Sequence, residues 1–319
     1  MFQKIQKFIT THKLIEHNQK IVVGLSGGPD SIFLLHFLAS LQQTYNLSLI
    51  AAHFNHEWRP EADQEQLDCQ KLAQTLNIPF VTAKKSDLAI TFTYNGSQEE
   101  YGRKMRRYFL EKVLHEYHAD RIALAHHAQD QEETFFIRLI RGSSLSGLTA
   151  IKPKSGFYIR PLLETHKTKI LDWLHDNNSA YATDKSNESL DYLRNRIRLN
   201  VLPALHTCDD RFATNFITTL NRLKATEDFL DDLTKKVFHE ISTFHNNHHL
   251  IDITQFFKTH NALHQRIVIH WLITEKVPFL PTEAFFDEII RFMASPNGGT
   301  HTIHKAWSLV KKQQKVFIQ

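Results

Sequence analysis

Ser26-Gly27-Gly28-Pro29-Asp30-Ser31 gathers two glycines, two hydroxyls and a carboxylate between an apolar run, Ile21 to Ser26, and the apolar stretch SIFLLHFLASL. Glycines lack a Cβ, so backbone N–H groups can approach an anion there, and the start of a helix adds the positive end of its dipole. Ser26 and Ser31 supply hydroxyls that donate to phosphate oxygens, and Asp30 is placed to hold a magnesium ion. The plainer alternative is a tight turn before a helix capped by Asp or Ser. Neither the GxxxxGK[ST] phosphate loop nor the GxGxxG dinucleotide fingerprint is present.

Four further segments carry reactive or charged groups. His53-Phe54-Asn55-His56-Glu57-Trp58-Arg59-Pro60 puts two histidines at a strand end, without the ligand set of a zinc site. In Gly102-Arg103-Lys104-Met105-Arg106-Arg107, Arg106 falls at about 100° per residue inside the face bearing Met105, Phe109, Val113 and Tyr117. A guanidinium buried there needs an anion, either an internal carboxylate or a phosphate. In Ala125-His126-His127-Ala128-Gln129-Asp130-Gln131-Glu132-Glu133-Thr134, Asp130 and Glu133 either cap a helix or offer carboxylates to an ammonium group or magnesium. Thr134, Arg138 and Arg141 share a helical face opposite Phe135, Phe136, Leu139 and Ile140. Finally, Tyr192-Leu193-Arg194-Asn195-Arg196-Ile197-Arg198 is basic and helical, a solvated face or, beside a phosphate site, a contact for RNA phosphates.

The elements that must position these groups alternate through the first half. IVVGLS, SLIAAHF, IPFVTA and RIALAHH read as strands. SIFLLHFLASL, DQEQLDCQKLAQTLN, about Gln98 to Tyr117 and about Gln131 to Arg141 read as helices. Repeated strand–helix–strand units imply an α/β fold with a parallel sheet covered on both faces. After about Pro203, Phe212, Phe216, Leu220, Leu223, Leu230, Leu233 and Val237 follow helical steps, predicting a smaller, mostly helical domain. The expected division is residues 1–205 and 206–319. His245, His248 and His249 predict an exposed loop.

Composition narrows the classes. With 38 basic and 34 acidic residues, the net charge of +4 permits a nucleic-acid partner without demanding one. Cys69 and Cys208 form no CxxC pair, disulfide framework or zinc set, which suits a reducing cytosol. No stretch approaches the roughly 20 apolar residues of a membrane helix, and the opening MFQKIQKFITTHKLI lacks a signal peptide's cleavage site. A cytoplasmic protein without membrane partners is expected.

Placed after the first strand, SGGPDS resembles the SGGxDS signature of PP-loop ATP pyrophosphatases, which cleave ATP between its α and β phosphates. In order and spacing, the other segments resemble the bacterial tRNA(Ile)-lysidine synthetases: HFNHEWRP their HxxHxLR, with Trp58 for the usual leucine; GRKMR their AR-x-x-R; HHAQDQEET their HHADDQAET, with Gln129 for an aspartate. Arg160-Pro161-Leu162-Leu163, then Asp184 and Asn187, then YLRNRIR to Pro203 match their RPLL, D-x-[ST]-N and Y-x-RN-x-[IL]R…LP, with Lys167 where arginine is frequent.

That resemblance implies a PP-loop domain of the adenine nucleotide α-hydrolase-like fold, with ATP and Mg2+ as cofactors. It implies ligation of free L-lysine to C2 of the wobble cytidine of isoleucine tRNA with a CAU anticodon. It assigns Ser26, Gly27, Gly28, Pro29, Asp30, Ser31 and Arg103 to ATP, Asp30 and Asp130 to the metal, and Asp30, Arg106, His127 and Asp130 to catalysis. Asp130, Glu133, Arg138, Arg141, Arg194, Asn195 and Arg198 would bind the substrates, and the arrangement admits a homodimer. Other PP-loop activities such as tRNA thiolation, and a non-catalytic nucleotide-binding regulator, remain the alternatives.

Overall fold

The computed structural model describes residues 1–88, 98–182 and 190–319; Asp184 and Asn187 lie outside them. The chain forms two compact units, Met1–Asn221 and Arg222–Gln319.

The first unit runs α1 (Phe2–Thr11), β1 (Lys20–Gly24), α2 (Pro29–Tyr45), β2 (Ser48–Asn55), α3 (Ala62–Thr75), β3 (Phe80–Lys84), α4 (Gln98–Glu116), β4 (Arg121–Ala123), α5 (Ala128–Ile140), α6 (Leu145–Leu148), β5 (Lys154–Ser155), β6 (Tyr158–Ile159), α7 (Lys167–Asp176), α8 (Leu193–Arg196) and α9 (Leu202–Cys208). Its sheet has the order β3-β2-β1-β4-β6-β5, parallel except for the β5–β6 hairpin. Period-two alternation divides the strands between two cores. Ile21, Val23, Leu49 and Ala51 face α1, α2 and α7; Val22, Ile50, Ala52 and Phe54 face Met105, Phe109 and Val113 of α4. Both faces are therefore covered, as continuous apolar strands of a parallel sheet require. In α2, Ile32 to Leu35, Phe37, Leu38 and Leu41 are all buried.

α10 (Phe212–Ile241) carries residues of both units. The second unit adds β7 (Ser242–His245), β8 (His248–Asp252), α11 (Ile253–Lys258), α12 (Asn261–Thr274), α13 (Glu283–Ala294), β9 (Gly299–His304), β10 (Trp307–Lys312) and β11 (Lys315–Ile318). Helices pack around the fully buried Trp271, as the periodicity implies, and the antiparallel order β7-β8-β11-β10-β9 is an addition to them. The histidine-rich segment is exposed at His245 to Asn247, but it is not an irregular loop. It is the β7–β8 hairpin, turned at Asn246 and Asn247, both at positive φ, a geometry that asparagine tolerates. Glu275 secures it, accepting from the His249 amide at 2.8 Å and meeting Nδ1 of His248 at 3.1 Å and of His249 at 2.7 Å. Among the described residues no helix is long and apolar enough to cross a membrane.

Candidate phosphate and nucleotide site

The loop between β1 and α2 is held by its own hydroxyls. The Ser26 amide and Oγ each donate to Ser31 Oγ at 3.1 Å, and Ser31 Oγ donates to the Gly28 carbonyl at 2.9 Å. Gly27 has φ of +84°, the left-handed region that favours glycine, and a Cβ there would touch Cys69 Sγ at 3.4 Å without clashing. Gly28 caps α2, Pro29 occupies its first turn and Asp30 follows. A glycine cap offers no side-chain oxygen to the first turn. Pro29 has no N–H and the Ser31 and Ile32 amides donate to the Gly28 carbonyl at 3.1 Å, so the Asp30 amide is the first-turn donor left for an anion.

A chain of charges extends from that loop. The Lys167 ammonium, at the start of α7, donates to Asp30 Oδ1 and Oδ2 at 2.6 and 2.5 Å. The Lys167 amide donates to Gln129 Oε1 at 3.0 Å, so Gln129 caps α7 and fixes that lysine. His127 Nε2 lies 3.6 Å from Asp30 Oδ2 and 3.6 Å from Asp130 Oδ2. Asp130 Oδ2 also accepts the His127 amide at 2.9 Å, closing the N-terminus of α5. Beyond it, Arg194 donates from Nη2 to Asp130 at 2.8 Å and from Nε to Glu133 at 2.6 Å. Arg198 donates to the other Glu133 oxygen at 2.6 Å. The Glu133 side chain is 1% exposed, and Asn195 is buried.

These surroundings set the protonation states. Burial works against the Asp130 carboxylate, but His127, His126, Arg194 and the His127 amide outweigh it and hold its pKa at about 2. Burial, with Arg160, Arg194 and Arg106 nearby and Asp130 opposing, pushes His126 down to about 3. Burial and the charges of Arg106, His53 and Lys85 lower His56 to about 4. Both imidazoles are neutral at pH 7. Burial raises the Cys69 thiol to about 12, so the cysteine under the loop is inert.

Arg103 and Arg106 are exposed on α4. The expectation that Arg106 is buried is therefore corrected. Its angular position matches the core-facing stripe, but it acts on His56, after β2, and His126, after β4; that end of α4 overlooks the C-terminal ends of the strands. Arg138 donates to the Gly147 and Ala150 carbonyls, and Arg141 is exposed. Burial and the charge of Arg103 lower the basicity of both Arg138 and Arg160, so positive charge is concentrated on this edge.

A PP-loop domain model matches residues 1–205. The chain belongs to the PP-loop family. This PP-loop chain is 34% identical over 274 residues to a tRNA(Ile)-lysidine synthase of Clostridium perfringens, covering 84% of the chain and 58% of that protein. It is 36% identical over 244 residues to the tRNA(Ile)-lysidine synthase of Clostridium acetobutylicum, covering 75% of the chain and 52% of the relative. Against the bifunctional protein TilS/HprT of Listeria monocytogenes, identity is 32% over 302 residues, covering 92% and 46%. The chain thus spans about half the length of the curated relatives it matches. The U34-tRNA thiolase NcsA of Methanococcus maripaludis, solved with its [4Fe-4S] cluster, aligns with a TM-score of 0.59 at 20% identity, covering 70% of this chain and 78% of that one. This likeness concerns the fold.

The structure brings the PP-loop together with Asp130, His127 and Glu133, and ties Arg194 and Arg198 to those carboxylates. Sequence reasoning noticed Lys167 only as a replacement and Gln129 only as a departure; their contacts make them one device. Among the described residues no cluster of three His, Cys, Asp or Glu side chains could hold a metal. Asp30 and Asp130 nonetheless fit magnesium, which takes one or two carboxylates and completes its shell with phosphate and water.

Proposed function

We propose that this chain is an ATP-dependent ligase that modifies tRNA, joining free L-lysine to C2 of the wobble cytidine of isoleucine tRNA with a CAU anticodon. The observation that carries this is His127 Nε2, 3.6 Å from both Asp30 and Asp130 beside the phosphate loop, in a chain similar to named lysidine synthases.

The chemistry needs two displacements. The cytosine 2-carbonyl oxygen attacks the α phosphorus of ATP, and pyrophosphate leaves with the bridging oxygen. The lysine ε-amine then attacks C2, the C2–O bond breaks, and AMP departs. The base thereby becomes lysidine, and its codon reading changes from AUG to AUA.

The loop amides and the Ser26 and Ser31 hydroxyls hold the phosphates. Asp30 and Asp130 would hold magnesium, which would supply neutralisation of phosphate charge. Lys167 stands beside Asp30 as a tethered cation within reach of the same group. Arg103 and Arg106 face the adenylyl phosphate, with Arg138 and Arg160 adding positive field. Free lysine has a pKa of about 10.4 and must lose a proton before attacking; the proton passes to His127, which Asp130 orients. Glu133 holds Arg194 and Arg198 in place at the RNA side. The protein acts in the cytoplasm, and a homodimer is compatible with it.

Purified protein incubated with ATP, magnesium, radiolabelled lysine and the CAU-bearing transcript should incorporate acid-precipitable label. Incorporation must require ATP and vanish when the wobble cytidine becomes uridine. Label that persists with the uridine transcript, or no label while ATP and tRNA both bind, sinks the proposal.

A further inference from the structure

Trp58 is 40% exposed and is packed between His56 and Gly102. Its ring stacks on His56, with centroids 4.5 Å apart and planes at 23°, and His56 meets Phe54 edge-on at 4.8 Å. On α4, a Cβ at Gly102 would collide with Trp58 Cη2, stand 2.8 Å from Cζ2 and reach 3.1 Å from His56 Cε1. Only glycine admits the indole there. The bend that aims the ring is built as well. Glu57 has φ of +56°, its amide donates to Asn55 Oδ1 at 2.9 Å, and its carboxylate accepts the Ser86 amide at 2.7 Å and hydroxyl at 3.0 Å. A non-glycine residue in that region is strained and persists only where the surroundings enforce it.

The neighbouring chemistry names the ligand class. Arg103, next to Gly102, and Arg106, one turn on, are exposed guanidinium groups. A fixed aromatic face beside cations is what single-stranded nucleic acid uses: bases stack on the ring and phosphates follow the charge. A small cofactor would be largely enclosed, whereas an indole this exposed suits a base splayed from a polymer.

We infer that Trp58, admitted by Gly102 and backed by His56, is a stacking platform for an unpaired base of the RNA substrate. This rests on the tRNA-modifying function proposed above. It adds a substrate-positioning residue outside the phosphate loop and the His127 centre.

The test uses the whole chain and a short RNA hairpin with a CAU loop. Emission of Trp58, taken as the difference between wild type and Trp58→Phe, should be quenched by the hairpin and unchanged by ATP. Trp58→Ala should raise the hairpin Kd about tenfold, the loss of one stacked base, and leave the ATP Kd unaltered. Trp58→Phe, which keeps a ring, should stay within about threefold. Gly102→Ala, which displaces the indole, should weaken the hairpin as Trp58→Ala does. Equal hairpin affinity in wild type and Trp58→Ala overturns the inference. So does a matching rise in the ATP Kd, which assigns the ring to adenine. If Trp58→Ala does not fold, the quenching decides: no quenching on saturation with RNA refutes the platform. A wild type that binds no RNA overturns the functional proposal and this inference with it; intact RNA binding undiminished in Trp58→Ala overturns the inference alone.

Discussion

Replacing Glu133 by Gln removes a carboxylate that Arg194 and Arg198 share. Its side chain is 1% exposed, while those of Arg194 and Arg198 are 26% and 35% exposed. Breaking a buried pair by deleting one partner costs about 3 to 5 kcal/mol when the remaining charge stays buried. Here the survivors reach solvent and Arg194 keeps Asp130, so the lower end applies, about 3 kcal/mol. For a unit the size of Met1–Asn221, each kcal/mol moves the melting temperature by roughly 2 to 4 °C, giving a fall of roughly 6 to 12 °C. Arg194→Ala leaves Glu133 with Arg198 and should cost less. Asp68→Ala, which breaks an exposed pair with Lys71, should change little. Thermal melts followed by circular dichroism rank the three variants. A Glu133→Gln protein melting within about 2 °C of wild type, or Arg194→Ala proving the more damaging, refutes the reasoning.

His56 and His126 have folded pKa values of about 4 and about 3, below the ordinary 6.5. The unfolded chain therefore binds protons first as pH falls, and the stability present above pH 6.5 is lost progressively from 6.5 down to about 4 for His56 and about 3 for His126. The melting temperature should drop from pH 7 to 5, less so in His126→Asn; a flat profile contradicts this. The exposed Cys208 should react with a maleimide at once and the buried Cys69 only on unfolding; equal rates would show the loop is not packed on Cys69. Gly27→Ala places a side chain at φ of +84° against Cys69, costing about 1 to 2 kcal/mol and weakening ATP binding; an unchanged ATP Kd rules out the loop as the phosphate cradle.

Much of the first unit was legible because its signals are local. Short apolar runs pointed to β1 to β3, and α4 was expected at nearly its observed limits. The phosphate loop announces itself through glycines that a specific backbone conformation demands. What escaped is non-local or too short. Lys167 and Asp30 are 137 positions apart, and nothing near either residue marks the pair. The two-residue strands β5 and β6 carry no period. At Arg106 the helical angle was right, yet periodicity does not say where a helix outruns the sheet it covers. In the second unit, the ends of β7 and β8 and the Asn246-Asn247 turn between them are rich in histidine and asparagine, composition that reads as loop until Glu275 and the strand ladder fix it.

From Ser31 to Leu38 every residue of α2 is buried or half-buried, and the phosphate loop runs into its first turn. A ligand that grips this turn is thermodynamically linked to the whole core beneath it. Binding there should raise the melting temperature of the entire first unit with ligand concentration, by RT ln(1 + [L]/Kd), with no separate transition for the loop. The loop cannot loosen without the helix, so its preorganisation is a property of the core: a cavity cut at Phe37, two turns along α2 from the loop, would register as weaker nucleotide binding.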